Sequence, residues 1–181
     1  VEQLANTAPG NRNILTVLPN NLPTGNPVNT TLTGLALRSL RNPATGANPF
    51  TRAVLGLEAD ESPEDIINFT RGDETIAGFR SRTLGTDIYR LGDIVNATPI
   101  VVGPPNFSYG AELNDASYTA FQTANTNRRF VPYAAANDGM LHAFDAGRLN
   151  NQGVLEARGN GQLGQELWAY TPFNLLPHLQ W

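Results

Sequence analysis

Ala134-Ala135-Ala136-Asn137-Asp138-Gly139-Met140-Leu141-His142-Ala143-Phe144-Asp145-Ala146-Gly147 reads as strand, tight turn, strand and second turn. The small and aromatic residues from Phe130 to Ala136 make the first strand, and Asn137-Asp138-Gly139 stops it. Asp138 and Gly139 are expected to take the two positive-φ positions of a hairpin turn. Alternation then places Leu141 and Ala143 on one face and Met140, His142 and Phe144 on the other. Asp145 can bend the chain again by accepting the backbone N–H groups of Ala146 and Gly147. A third strand follows at Glu166-Leu167-Trp168-Ala169-Tyr170-Thr171. Strand, tight turn, strand, turn and Trp-containing strand is the order in which one blade of a radial β-sheet fold is written, although no repeat of fixed period is present.

Upstream of this unit, Ile94-Val95 and Ile100-Val101-Val102 are β-branched pieces broken by Pro99. Residues 104–129 and 148–164, rich in Asn, Gly, Gln and Thr, read as long surface connections. The main architectural boundary falls between about Asp73 and Tyr89. Before it, Ser62-Pro63-Glu64-Asp65 marks a helix start: Ser caps, Pro occupies the first turn, and the acids meet the positive end of the dipole. That helix should run to about Arg71, bury Ile66, Ile67, Phe69 and Thr70, and end on a left-handed Gly72. A small helical turn is expected from Phe50 to Leu55, closed by Gly56. Residues 1–49 carry Pro at 9, 19, 23, 27, 43 and 49 and allow only brief elements: a strand over residues 13–18 and a short helix over 31–40.

Composition narrows the chemistry. The 181 residues include 17 Gly, 13 Pro and no Cys, and only 15% are charged. Without Cys there are no disulfides, thiolate metal sites or Cys-ligated iron–sulfur clusters. Arg supplies every one of the 12 basic residues, so mechanisms that need a Lys are excluded. A net charge of −4 offers no footprint for nucleic acid, and no run approaches the roughly 20 apolar residues of a membrane span.

Single residues read mainly as structural. Asp93 should accept backbone N–H groups at the entry to a strand, while Asn137, Asp138, Gly139 and Asp145 should serve turns. His142, beside Phe144, is expected to be a hydrogen-bonded structural histidine, and Trp168 is expected in the core, where replacement by Ala would cost about 3 to 5 kcal/mol. His178 has no partner in sequence, and two isolated His residues do not make a zinc site. Arg71-Gly72-Asp73 spells an integrin-type tripeptide but is better read as a helix end. No Gly-x-Ser-x-Gly elbow is present.

Arg90-Leu91-Gly92-Asp93-Ile94-Val95-Asn96-Ala97-Thr98-Pro99-Ile100-Val101-Val102-Gly103, the 134–147 unit and Glu166–Pro172 together resemble the β-propeller domain of the PilY/PilC family, type IV pilus tip-associated biogenesis proteins and adhesins. Ile66-Ile67-Asn68-Phe69-Thr70-Arg71-Gly72-Asp73 resembles the helix that precedes this propeller in the family. The resemblance covers about residues 50–179, and departs from the family at Asn96-Ala97 and in the insertion at 148–164. It implies a mainly β fold, a partial β-propeller with short helices and long loops. The chain then divides into an extended lead-in (1–49), a short helical segment and linker (50–89), and incomplete propeller blades truncated at the C-terminus (90–181). The implied function is noncatalytic, in pilus assembly or surface attachment at the bacterial cell surface or fimbrium, with an outer-membrane or periplasmic pool. Pilus subunits or a host surface component are the implied partners. The family's Ca²⁺ loop has no counterpart here, because no closely spaced acidic series occurs, so no metal is transferred onto Asp93, Asp138 or Asp145 and calcium is left to a downstream part of the parent protein. The alternatives are a fragment of a quinoprotein-like propeller enzyme, which would need a quinone and Ca²⁺, and a structural propeller scaffold.

Overall fold

Residues 2–20, 34–157 and 161–180 are described by the computed structural model. The chain opens with a helical turn α1 (Glu2–Ala5) and a 3₁₀ turn (Pro9–Asn11), then forms strands β1 (Ile14–Pro19) and β2 (Leu35–Ser39). Helices α2 (Arg52–Leu55) and α3 (Pro63–Arg71) come next, followed by a small hairpin of β3 (Thr83–Leu84) and β4 (Asp87–Ile88). Strand β5 (Ile100–Val102) leads into helices α4 (Tyr109–Glu112) and α5 (Ala116–Ala124), and then into β6 (Val131–Ala135) and β7 (Leu141–Phe144). A second small hairpin, β8 (Arg148–Leu149) with β9 (Leu155–Glu156), precedes β10 (Glu166–Tyr170) and a closing 3₁₀ segment (Phe173–His178).

Six strands form one mixed sheet in the order β2-β1-β10-β7-β6-β5. Within it, β5, β6, β7 and β10 are a four-stranded antiparallel meander, each strand joined to the next by a local connection. Beyond β10 the order is extended by residues from the start of the chain: β1 lies parallel to β10, with Ile14 opposite Ala169, and β2 pairs antiparallel to β1. Strand β1 follows from Ile14-Leu15-Thr16-Val17-Leu18, whose alternation turns Ile14, Thr16 and Leu18 to the buried side.

The core lies on one face of this sheet. Ile14, Leu18, Met140 and Ala169 meet Phe50, Val54, Leu55, Ile66, Ile67 and Leu176, so that α2, α3 and the C-terminal 3₁₀ segment roof the strands. Helix α3 forms as its sequence directs: Ser62 Oγ accepts the Asp65 N–H at 3.2 Å, and Gly72 closes the helix at φ 97°. Helix α2 likewise ends on Gly56 at φ 65°.

Four expectations are corrected. The region expected as a helix over 31–40 contains strand β2, held by the ladder to β1, with 31–33 outside the described residues. Leu35 and Leu37 face outward at this sheet edge, 69% and 62% exposed, so local helix propensity yields to strand pairing. Ile94-Val95 is irregular and exposed, because its backbone pairs with no strand among the described residues. Residues 104–129 contain the helical pair α4–α5, started by Asp115 as an N-cap, and 148–156 forms the β8–β9 hairpin. Finally, only Gly139 takes positive φ in the β6–β7 turn. The Gly139 N–H donates to Ala136 O and the Ala136 N–H donates to Met140 O, which makes a three-residue loop in place of the expected two-residue turn.

Candidate functional site

The β6–β7 turn and the first residue of β10 place the carboxylates of Asp138 and Glu166 on opposite sides of the His142 ring. His142 has no exposed surface. Its Nδ1 lies 2.8 Å from Glu166 Oε1, and its Nε2 lies 3.0 Å from Asp138 Oδ2. Phe144 stacks nearly parallel to the ring at 5.8 Å, as alternation along β7 requires. The chain of charges continues past Glu166: Arg12 donates from Nε and Nη2 to its two oxygens, both at 2.8 Å, in a buried bidentate pair. At the other end Asp138 accepts the backbone N–H of Gly92 at 3.0 Å and of Met140 at 3.1 Å.

Arginines continue the network into backbone. Arg12 Nη1 donates to Arg71 O, and Arg71 in turn donates to Leu40 O at 2.8 Å and to Gly10 O at 3.2 Å. Arg90 donates to Gly72 O at 3.0 Å and to Leu4 O and Ala5 O. A guanidinium offers five donors in a fixed fork, which suits it to gathering carbonyls that would otherwise be buried without partners. Burial, with the neighbouring charges of Arg41 and Arg12, brings Arg71 down to about 10, so it stays charged at neutral pH. Arg71 is therefore consumed internally, and Arg71-Gly72-Asp73 is the end of α3 with its Arg buried.

The titrations reflect this pairing. Burial alone opposes the charge of His142, but its bonds to Asp138 and Glu166 and their charges prevail and raise its pKa. Burial also opposes the charge on Glu166, yet Arg12 and His142 bring its pKa down to about 2. Asp138 is lowered in the same way, with burial outweighed by His142 and the Gly92 and Met140 amides. Chemically the array stores charge and does not deliver a proton to a nucleophile, since both ring nitrogens end on carboxylates.

Beside Asp138 a cleft of about 600 Å³ opens, lined by Arg80, Arg82, Arg90, Asp93 and His178 among others. Among the described residues, no group of three or more His, Asp or Glu side chains converges to hold a metal. Asp138 and Asp145 are already committed, to His142 and to Arg129, so these two carboxylates are not free to ligate Ca²⁺.

The remaining sequence candidates are dispersed. Asp93 is exposed, and among the described residues its carboxylate accepts no hydrogen bond; its carbonyl instead receives the Asn137 N–H at 3.0 Å. Asp145 is buried and accepts the Gly147 N–H at 2.8 Å, but the Ala146 N–H goes to Phe130 O; the second carboxylate oxygen pairs with Arg129 at 2.6 Å. Trp168 is half-buried and not in the core. Its strand turns Ala169 inward, leaving the indole on the opposite face against Tyr133, with ring centres 5.8 Å apart. The full-burial figure of about 3 to 5 kcal/mol therefore does not apply to it. Sequence reasoning missed Arg12, Arg71, Arg90 and the carboxylate role of Glu166. The available signal was a chain poor in charge whose only cations are arginines.

The antiparallel meander of β5, β6, β7 and β10 has the strand order of one β-propeller blade, and among the described residues no ring of blades is closed. Residues 91–157 match the family described as the PilY1 beta-propeller domain, a match that begins before β5 and ends at β9. Relatives extend the match to most of the chain. One, named type IV pilus biogenesis factor PilY1 homolog, from Xylella fastidiosa, is 36% identical over 140 residues, covering 75% of this chain and 10% of that protein. A second from the same organism is 33% identical over 132 residues, covering 65% of this chain and 8% of its own. The type IV pilus biogenesis factor PilY1 of Pseudomonas aeruginosa is 37% identical over 91 residues, covering 49% and 7%. The chain thus spans about a tenth or less of the curated relatives it matches. No solved structure matches it.

Proposed function

We propose that this chain is a noncatalytic propeller portion of a type IV pilus biogenesis factor, acting in pilus assembly or surface attachment. The observation that carries this reading is the coincidence of the family match at 91–157 with the blade strands β5, β6 and β7. The relatives' names supply the pilus context. Pilus subunits or a host surface component are the partners, and the bacterial cell surface or fimbrium, with an outer-membrane or periplasmic pool, is the location. Among the described residues no helix is long and apolar enough to cross a membrane. A noncatalytic role is supported by the occupation of both His142 nitrogens. Calcium, where the parent binds it, is assigned to parts outside this chain.

We place the contact surface on the α4–α5 segment. Phe107, Tyr109, Leu113 and Phe121 are 44% to 70% exposed there, and Phe107 stacks on Tyr109 at 5.1 Å. The full parent protein carrying Phe107→Ser, Tyr109→Ser and Phe121→Ser should reach normal levels but restore fewer surface pili, or less attachment, to a strain lacking the parent gene. Unchanged pilus number and attachment would overturn the assignment of this surface.

A further inference from the structure

His142 stands between two carboxylates with no water-exposed edge, and this geometry has a requirement of its own. An ionised carboxylate only accepts hydrogen bonds, and a neutral imidazole carries one N–H. With Nδ1 at 2.8 Å from Glu166 and Nε2 at 3.0 Å from Asp138, both contacts hold together only when both nitrogens are protonated. A neutral ring would point a lone pair at one carboxylate oxygen.

We propose that His142 is a proton-operated latch: protonated, it ties the β6–β7 turn to β10, and deprotonated, it frees Asp138 and releases the Gly92 amide in the strap of residues 90–93 at the edge of the cleft. This inference stands independently of the pilus reading.

The asymmetry of the two partners decides which tie yields. Glu166 is gripped from its far side by the Arg12 fork, and its side chain is 2% exposed. Asp138 sits on a turn with its side chain 13% exposed toward the cleft. Charge pushes the same way. Arg12, Glu166, His142 and Asp138 are balanced while the ring is protonated, and loss of the proton leaves one net negative charge in a buried array. The other charged groups around it are Arg71 behind Arg12 and, on the cleft side, Arg80, Arg82 with its partner Glu74, Arg90 and Asp93, with His178 of the C-terminal segment on the same cleft. Moving Asp138 toward the cleft returns the unbalanced charge to water and to Arg82.

The strap responds at Gly92, whose amide is held by the Asp138 carboxylate, while its ends stay fastened, Arg90 to the Gly72, Leu4 and Ala5 carbonyls and Asp93 O to the Asn137 N–H. The Gly92 N–H donates to Asp138 Oδ2, the oxygen that His142 also holds. The approach is close enough that a Cβ on Gly92 would lie 2.5 Å from the Asp138 amide nitrogen. The raised pKa of His142 puts the release above its ordinary value of 6.5.

The test uses the 181-residue chain with ¹⁵N-labelled histidine. At about pH 6 the His142 ring should show both nitrogens protonated, although an ordinary histidine is partly neutral there. As pH rises through the titration of this ring, the protection of the Gly92 amide, corrected for intrinsic exchange, should fall at least about tenfold, while the Leu55 amide in α2 keeps its protection. Asp138→Asn, with its oxygen in the place of Oδ2 and its NH₂ in the place of Oδ1, can accept from Gly92 and donate to a neutral Nε2 at the loss of the Met140 N–H bond, so its Gly92 protection should be flat with pH. His142→Gln should flatten it as well, and Asp138→Asn decides the matter if His142→Gln does not fold. A single-N–H ring at about pH 6, Gly92 protection that ignores the ring's titration, or an unchanged pH response in Asp138→Asn would each overturn the latch.

Discussion

At the scale of single residues, Arg12 carries the largest structural burden. Its guanidinium has no exposed surface and serves Glu166 and the carbonyls at the end of α3 together. Removing one member of a buried pair strands the other, and such losses cost about 3 to 5 kcal/mol, whereas replacing both members by apolar groups is often neutral. Arg12→Met is therefore expected to lower unfolding stability by about 3 kcal/mol or more in a urea titration. Arg12→Met combined with Glu166→Gln should recover part of that loss, because the second change removes the stranded charge. A single-variant loss below about 1 kcal/mol would mean that Glu166 is adequately held by His142 alone. The pairing itself was illegible in sequence: Arg12 and Glu166 are 154 positions apart, and no local pattern links them. His142 was legible as a hydrogen-bonded residue from its place beside a turn, but not which groups would bind it.

At the scale of elements, legibility followed the strength of local chemistry. Helix α3 was readable because Ser62, Pro63, the acids and Gly72 all point to one answer, and β6, β7 and β10 because alternation and turn residues agree. Helix α5 was hidden since it buries no residue and so lacks an apolar stripe to register as a period. Strand β2 was hidden because its conformation is set by β1 and not by its own residues. The end of α3 shows how a readable signal can carry a second role. Gly72 takes φ 97°, and a Cβ there would also run into the Arg90 side chain that brackets Gly72 O and the α1 carbonyls. Gly72→Ala should thus cost more than the roughly 1 kcal/mol of a strained left-handed alanine, about 2 to 3 kcal/mol in all. Paired with Arg90→Ala it should show non-additivity in a double-mutant cycle, and strict additivity would assign the whole effect to backbone strain.

At the scale of the whole molecule, the sheet joins the start of the chain to its end: β1 lies beside β10, and arginine forks fasten the α1 and β1 segments to α3 and the strap. The buried charges at that junction make global stability depend on pH in a defined direction. Glu166 and Asp138 have folded pKa values below their ordinary 4.5 and 3.8, so their contribution is present above those values and is lost as pH falls through the folded ones, about 2 for Glu166. His142 has a folded value above 6.5, so its contribution is complete below 6.5 and is lost as pH rises through the folded value. Stability from this array should accordingly be greatest between about pH 4.5 and 6.5 and decline on both sides, each unit of pKa displacement being worth about 1.4 kcal/mol. Urea midpoints measured across this range should fall on the alkaline limb in the parent chain and fall less in His142→Gln. On the acid limb, Glu166→Gln should be less steep than the parent. An alkaline limb of equal steepness in His142→Gln would assign it to other titrating groups, and would leave Arg12 as the side chain that holds Glu166 at the junction.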